Sequence, residues 1–402
     1  MRQQNLSTVL GQVHRAGQLS RAALTTSTGL NRSTIRTLVA ELEQRHLVTE
    51  GDAVVTGSPG RPSPVVAARG DGAVVLAADV KVSRIIFAVV GLGGTVHQRV
   101  EVPLTDDSRG VAPTVDRLVE LIGTALAESP DLHVVGLGVS VAGIVRVADG
   151  FVHLAPNLGW VDVPLANLLV DRLSGDLGIT DLDVVIGNEA DLGALAEHVR
   201  GAGSGTRDMV YVSGEIGVGG GIVVDGRPLV GRSGYAGEIG HMVVNPEGRP
   251  CHCGSIGCWE TEIGQRALLR HMGWADGGDH EVVDAIMREA SAGSQRALDA
   301  FAEVGTWLGI GLASLINVLN PQRVVLGGVF ARAFSYLIDA ARVEVDRRSL
   351  GPARAVTAIT PATLGEDSSL VGAAEMAFTP VLADPTLLPL HDTDVDVAAT
   401  AS

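Results

Sequence analysis

Apolar residues recur every three or four positions at the start of the chain, then give way to short unbroken runs. In LSTVLGQVHRA, Leu6, Val9, Leu10 and Val13 share one helical face. Ser20 is placed to cap a second short helix, RAALTTS, and Gly29 lies in the turn after it. Asn31 is placed to cap a third, RSTIRTLVAELEQRHLV, whose inner face is Ile35, Leu38, Val39 and Leu42. Arg32, Ser33, Thr34, Arg36 and Thr37 are left on the outside, near its amino end. AVVTGSPGRPSPVV then predicts two short strands around a Gly/Pro tip that carries Arg61. The pattern predicts a winged helix-turn-helix over residues 1–70. Small hydroxyls and arginines at the start of an outward helix face suit a DNA major groove, and an arginine on a wing tip suits a minor groove.

From about Gly72 the texture changes. AVVLAADV, RIIFAVVG, VVGLGVSVAG, DVVIGNEA, DMVYVSG and RVVLGGV are Val-rich runs ending in Gly, Asn or Asp, separated by helical stretches. They predict an α/β protein with buried sheets whose ligands sit at the strand ends. SQRALDAFAEVGTWLGIGLASLINVLN reads as one long, mostly apolar helix stopping at Asn320–Pro321. Residues 379–402 hold Pro and Asp without helical or strand period and are expected to form a disordered acidic tail.

The length suggests two or three domains, and 46% hydrophobic residues supply a sizeable core. No stretch reaches eighteen apolar residues and the first residues lack a signal-peptide core, so no membrane partner and a cytoplasmic location are expected. A net charge of −16 speaks against nucleic acid. Its distribution reverses that impression: residues 1–69 hold eight arginines against four acids, a net +4, which leaves −20 on the remainder. A basic head on an acidic body fits double-stranded DNA at one end of the molecule.

All three cysteines lie in GHMVVNPEGRPCHCGSIGCWE. His241, Cys251, Cys253 and Cys258 have the ligand types and spacing of a closed tetrahedral structural zinc site, one ion per chain. A disulfide would leave one cysteine over, and a bridge across Cys-x-Cys is strained. Buried, inert thiols sit poorly in a loop punctuated by Pro246, Pro250, Gly254 and Gly257.

This stretch, with APNLGW (155–160), GNEADLGALAE (187–197), GVGGG (217–221) and NPQRVVLGG (320–328) in the same order, resembles the ROK family of repressors, open reading frames and sugar kinases. The resemblance covers most of the chain. It implies an actin-like, two-lobed fold over 71–378, with one lobe at about 71–187 plus 361–378 and the other at about 188–360. It also implies a sugar in the cleft, bound by Asn157, Asn188, Glu189, Glu238, His241 and Glu260. A winged helix ahead of this domain is the arrangement of the family's repressors, such as those of xylose or N-acetylglucosamine operons. Carboxylates and amides suit sugar hydroxyls because each can make paired hydrogen bonds. The metal would order the loop that carries Glu238 and Glu260 rather than act as a Lewis acid.

Several positions depart from the family's kinases. Glu189 stands where the catalytic Asp is expected, so it is read as a vestigial base position and no catalytic residue is assigned. ADVKVSR replaces the phosphate loop Asp-x-Gly-Gly-Thr, and Lys81 there is the sole lysine in the chain. The Gly91–Thr95 GLGGT follows a second strand run, where a hairpin turn is expected. In the second phosphate loop Glu215-Ile216-Gly217 stands where the family has Gly-Thr-Gly, so a carboxylate there would repel a triphosphate, and Val329 replaces a nucleotide-side glycine. The expected function is a sugar-responsive transcriptional regulator, a repressor of carbohydrate uptake or catabolism genes. It would take a sugar or sugar phosphate and bind a palindromic operator as a homodimer or homotetramer. The alternatives are an ATP-dependent sugar kinase with an appended head, and a constitutive DNA-binding protein with a vestigial cleft.

Overall fold

The computed structural model describes residues 1–52, 63–215, 217–275 and 281–391 and falls into two compact units. The first holds Met1–Gly187 and Ala373–Ser402, and the second holds Asn188–Gly372.

The first unit opens with α1 (Arg2–Ala16), β1 (Gln18–Ser20), α2 (Arg21–Thr28), α3 (Arg32–Gln44), β2 (Val48–Gly51) and β3 (Val65–Ala68). The strands form an antiparallel sheet in the order β1-β3-β2, which gives a winged helix-turn-helix. The Ser20 hydroxyl accepts the Ala23 N–H at 3.1 Å and the Asn31 side chain accepts the Thr34 N–H at 2.9 Å, so both predicted caps form. The eight predicted inward residues of α1 and α3 are buried. Helix α3 stops at Gln44, short of the predicted pattern, because His46 takes a φ of 58°. That turn returns Leu47 and Val48 to the core and starts the wing at β2, earlier than AVVTGSPGRPSPVV suggested. Residues 53–62, and with them Arg61, lie outside the described residues.

The same unit continues through β4 (Val74–Val80), β5 (Arg84–Gly91), β6 (Thr95–Pro103), α4 (Val111–Glu128), β7 (Val134–Val141), β8 (Ile144–Arg146), β9 (Phe151–Ala155), β10 (Trp160–Val163), α5 (Leu165–Leu177) and β11 (Val184–Asn188). Its main sheet has the order β11-β7-β4-β5-β6, with β4 parallel to β7 and antiparallel to β5. Leu76, Phe87 and Leu137 of the sheet share a core with Leu118, Ile122, Leu169 and Leu173 of α4 and α5. GLGGT forms the β5–β6 turn, with Gly93 and Gly94 at φ 78° and 84°. It is a hairpin, as its position predicted.

The second unit holds α6 (Glu189–Val199), β12 (Met209–Gly214), β13 (Val218–Val224), β14 (Arg227–Pro228), α7 (Trp259–Ile263), α8 (Gln265–Met272), α9 (Glu281–Ser291), α10 (Gln295–Leu319), β15 (Arg323–Gly328), α11 (Val329–Arg332), α12 (Phe334–Arg348), α13 (Gly351–Val356) and β16 (Ala358–Pro361). The sheet order is β14-β13-β12-β15-β16. Helix α10 is long and apolar enough to span a bilayer by length and composition. Phe301, Leu308, Leu312 and Ile316 nevertheless bury it in the core of this unit. Buried Glu197 ties α6 to the segment after β16: it accepts backbone N–H groups of Ala202, Thr363 and Leu364 at 2.7, 3.0 and 2.8 Å. A buried carboxylate satisfied this way fixes the loops that supply the donors.

The final helix, α14 (Ser368–Ala383), corrects the expected tail, since it runs past residue 379. Its packing on β7 needs a glycine, because a Cβ at Gly138 would lie 2.0 Å from the Ala373 carbonyl oxygen. The head holds the chain as far as His391: Arg45 donates to the Leu388 carbonyl, Gln44 accepts the His391 N–H at 2.8 Å, and the His391 ring stacks on His46 at 4.1 Å. Residues 392–402 lie outside the described residues.

The head and this helix also meet in a buried polar contact. His14 of α1 is 1% exposed; its Nε2 donates to Glu375 Oε2 at 2.9 Å, and its Nδ1 accepts the Gly93 N–H at 3.2 Å. Removing one partner leaves the other buried without its hydrogen bond. Glu375→Ala should therefore lower stability by about 1–3 kcal/mol, read as an earlier urea transition with unchanged slope.

Candidate functional site

In the second unit the chain leaves β14, passes a one-turn 3-10 helix at Ile239–His241, loops back, and enters α7 at Cys258. Two isolated bridges, Val243 with Cys258 and Pro250 with Ile256, fold this loop on itself. The fold needs glycine at 257: its φ is 74°, and a Cβ there would lie 1.6 Å from the Asn245 carbonyl oxygen. The loop brings one donor atom each of His241, Cys251, Cys253 and Cys258 within 4.8 Å of one another.

The donor spacing suits a tetrahedral ion. Metal–sulfur bonds of about 2.3 Å put two sulfurs about 3.8 Å apart, and a sulfur and an imidazole nitrogen about 3.6 Å apart. Here Cys253 Sγ and Cys258 Sγ are 3.7 Å apart, as are Cys251 Sγ and His241 Nδ1. All three cysteines are free, and that sulfur separation is far from a disulfide bond of about 2.05 Å. Burial pushes the Cys251 and Cys258 thiols up, helped by Glu260 beside Cys251 and Cys253 beside Cys258. Backbone hydrogen bonding at Ser255 pulls Cys253 down. The four residues form a cluster that can hold a metal ion.

Carboxylates crowd against this cluster. Glu260, in the first turn of α7, places Oε1 2.8 Å from Cys251 Sγ, 3.1 Å from His252 Nδ1 and 3.7 Å from His241 Nδ1. Burial holds Glu238 above the usual carboxylate range; Glu260 adds to this and His241 opposes it. Asp191 is pushed up to about 7 by burial first and by Glu238 second. The structure thus groups Glu238, His241 and Glu260 of the expected set and adds Asp191 and His252. Asn188 is the amino cap of α6, its Oδ1 accepting the Ala190 and Asp191 N–H groups at 2.8 and 3.2 Å, and Glu189 is the first residue of that helix. Asn157 is exposed in the β9–β10 turn and belongs to the first unit.

Asp191 and His252 were not singled out from sequence. Asp191 lies two residues after Glu189, a spacing that does not share a helix face, and His252 is the intervening residue of Cys-x-Cys. On the head, Arg32, Ser33, Arg36 and Thr37 are exposed along α3 and Thr34 is half-buried.

The match to known proteins settles the larger grouping. The ROK family model matches residues 75–379. The chain belongs to the ROK family. It is 28% identical to a xylose repressor of Caldicellulosiruptor bescii over 91% of this chain and 93% of that one. It is 32% identical to a glucokinase of Halalkalibacterium halodurans over 73% of this chain and 92% of that one. A crystal structure of a ROK family transcriptional regulator, a homolog of the Escherichia coli Mlc protein, superposes with a TM-score of 0.77. Its identity is 25%, covering 96% of this chain and 98% of that one. With this likeness the fold is the winged helix-turn-helix followed by the two-lobed, actin-like ROK domain.

The structure also places Lys81, Glu215 and Val329, the positions where the sequence departs from the family's kinases. In the first unit, Lys81 Nζ sits 2.9 Å from Oδ2 of Asp79, which is 1% exposed. In the second, Glu215 lies against the turn that starts α11: a Cβ at Gly328 would be 2.9 Å from Glu215 Oε1. Val329, the first residue of α11, is buried in the core.

The raised Asp191 carboxyl has a pH signature. Between its ordinary value near 3.8 and about 7 the folded chain holds a proton that the unfolded chain has lost, so stability falls as pH rises through that window. Asp191→Asn removes the ionisation. Its thermal midpoint should gain on the wild type between pH 6 and 8.5, by the equivalent of about 1–2 kcal/mol. A constant difference across that range would show that Asp191 does not titrate there.

Proposed function

We propose that this protein is a sugar-responsive transcriptional repressor that binds double-stranded operator DNA through its winged helix. The observation that carries this reading is coverage. The repressor relatives match the head as well as the body, whereas the glucokinase match spans 73% of the chain. Exposed Arg32, Ser33, Arg36 and Thr37, with Thr34 beside them, are the α3 groups that would meet bases and phosphates, and Arg61 would reach from the wing. The protein acts in the cytoplasm, and a palindromic operator calls for a homodimer or homotetramer.

The effector is a sugar, held in the second unit by Asn188, Glu189, Glu238, His241 and Glu260; Asn157 joins the set through the family motif alone. One structural zinc per chain is held by His241, Cys251, Cys253 and Cys258. Bound there, zinc ties the two ends of the loop together and so sets Glu238 and Glu260 relative to each other. A carboxylate accepts hydrogen bonds from two hydroxyls and so orients a sugar ring. A crowd of carboxylates favours an uncharged sugar over a sugar phosphate, which it would repel. A free-energy coupling of about 1–3 kcal/mol between sugar and DNA gives a useful switch.

The second reading, a sugar kinase with a head, rests on the glucokinase relatives. The Lys81–Asp79 pair and Glu215 beside the α11 turn support the repressor, since in the loops that the family resemblance assigns to phosphate an ion pair would compete with phosphate oxygens and a carboxylate would repel them.

Purified protein should carry close to one zinc per chain, measured by atomic emission without added metal. Cys253→Ser should lose the ion and lower both thermal stability and sugar affinity. The function itself is tested by fluorescence anisotropy on the protein's own upstream DNA at fixed salt, with xylose, glucose or N-acetylglucosamine. Arg36→Ala should weaken DNA binding and leave sugar affinity within about twofold. Glu260→Gln should bind DNA but lose the sugar response. In a coupled assay, ADP release at about 1–100 per second would select the kinase instead.

A further inference from the structure

Glu260 Oε1 has three polar neighbours, and metal binding treats them unequally. The Cys251 thiol is 2.8 Å away, His252 Nδ1 is 3.1 Å away and His241 Nδ1 is 3.7 Å away. The Cys251 thiol donates to that carboxylate oxygen. A cysteine that ligates a metal has lost that proton, so its sulfur no longer donates and instead repels the carboxylate. His241 belongs to the four-donor cluster, its Nδ1 3.7 Å from Cys251 Sγ, and would be a ligand of the ion rather than a donor to Glu260. Two of the three neighbours thus cease to be donors when the site is loaded.

The third neighbour, His252 Nδ1, stays within hydrogen-bonding distance of Glu260 Oε1 at 3.1 Å. His252 lies outside the three-cysteine set, though it forms a second donor group with His241 and Glu260 and its Nδ1 is 3.9 Å from Cys251 Sγ; its side chain is 54% exposed against 10% for Glu260. The His252 and His241 rings meet edge to face at 5.7 Å. Glu260 Oε2 points elsewhere, to a place 3.2 Å from where a Cβ on Gly217 would lie.

We propose that His252 is a positioning residue of the sugar site: its Nδ1–H holds Glu260 Oε1 in the metal-loaded protein and leaves Oε2 for a sugar hydroxyl. This rests on the reading of Glu260 as a sugar contact. The residue between the two cysteines is then part of the binding apparatus without touching either metal or sugar. A carboxylate fixed at one oxygen loses less freedom on binding than one that must be ordered by the sugar.

The test compares His252→Ala with His252→Asn in zinc-loaded protein. The Asn amide offers an N–H near the place of Nδ1, whereas Ala offers none. Affinity for D-xylose, D-glucose and N-acetyl-D-glucosamine is measured by calorimetry, with zinc content and thermal midpoint recorded alongside. His252→Ala should weaken the best-binding sugar about tenfold, and His252→Asn should recover most of that loss. Both variants should keep their zinc and their midpoint, as an exposed side chain allows. Long-range nitrogen–proton spectra of the wild type should show His252 as the Nδ1–H tautomer, with a shift that changes in Glu260→Gln. Unchanged affinity in His252→Ala, no recovery in His252→Asn, or an Nε2–H tautomer would overturn the proposal. If the wild type binds none of the three sugars, the sugar reading fails, while the tautomer still decides whether His252 holds Glu260.

Discussion

Three thiols and an imidazole whose donor atoms lie within 4.8 Å of one another, two of the thiols buried, are the constraint around which the second unit's site is built. Such donors crowd together at a cost unless a cation gathers them. The loop that brings them together has little regular structure of its own; isolated bridges and glycines at positive φ shape it. It begins beside Glu238 and ends beside Glu260, so whatever fixes the donors also fixes the carboxylates. Asp191 joins them from α6, whose amino end Asn188 caps, and Glu238 raises its carboxyl further. A polar site with so many acids is poorly suited to anions and well suited to hydroxyls.

The first unit uses a different device. Its winged helix does not hang from a linker: α1 docks through His14 on Glu375 and Gly93, and α3 ends against the segment that follows α14. A buried hydrogen bond between distant parts of the sequence resists sliding, because any displacement leaves two polar groups without partners. The head is thereby joined to the helix through which the chain returns from the second unit to the first.

The proposed loss of nucleotide chemistry rests on charge as well as on motif. Lys81 pairs with buried Asp79, and Glu215 lies against the turn that starts α11. A kinase presents donors to phosphate oxygens. An ion pair or a carboxylate at such a place would weaken phosphate binding without disturbing the fold.

The sequence by itself determined what depends on local pattern. Helical periodicity and two capping residues placed α1 to α3, alternation of Val-rich runs with helices gave the α/β class, and four ligand types at short spacing marked the donor cluster. These signals are legible because each is carried by residues near one another in the chain. Other features depended on partners far away in sequence. The end of α3 at Gln44 follows from the positive φ of His46, whose carbonyl is packed so tightly against Gly72 that no Cβ would fit there. The docking of Leu388 and His391 on the head comes from Arg45, Gln44 and His46, and nothing in that stretch's own composition announces it. Asp191 and His252 acquire their character from Glu238 and Glu260, which only the fold brings beside them. Pattern fixes which face of an element is apolar; tertiary structure alone decides which polar groups meet once that face is buried, because their energies depend on burial and distance rather than on position in the chain.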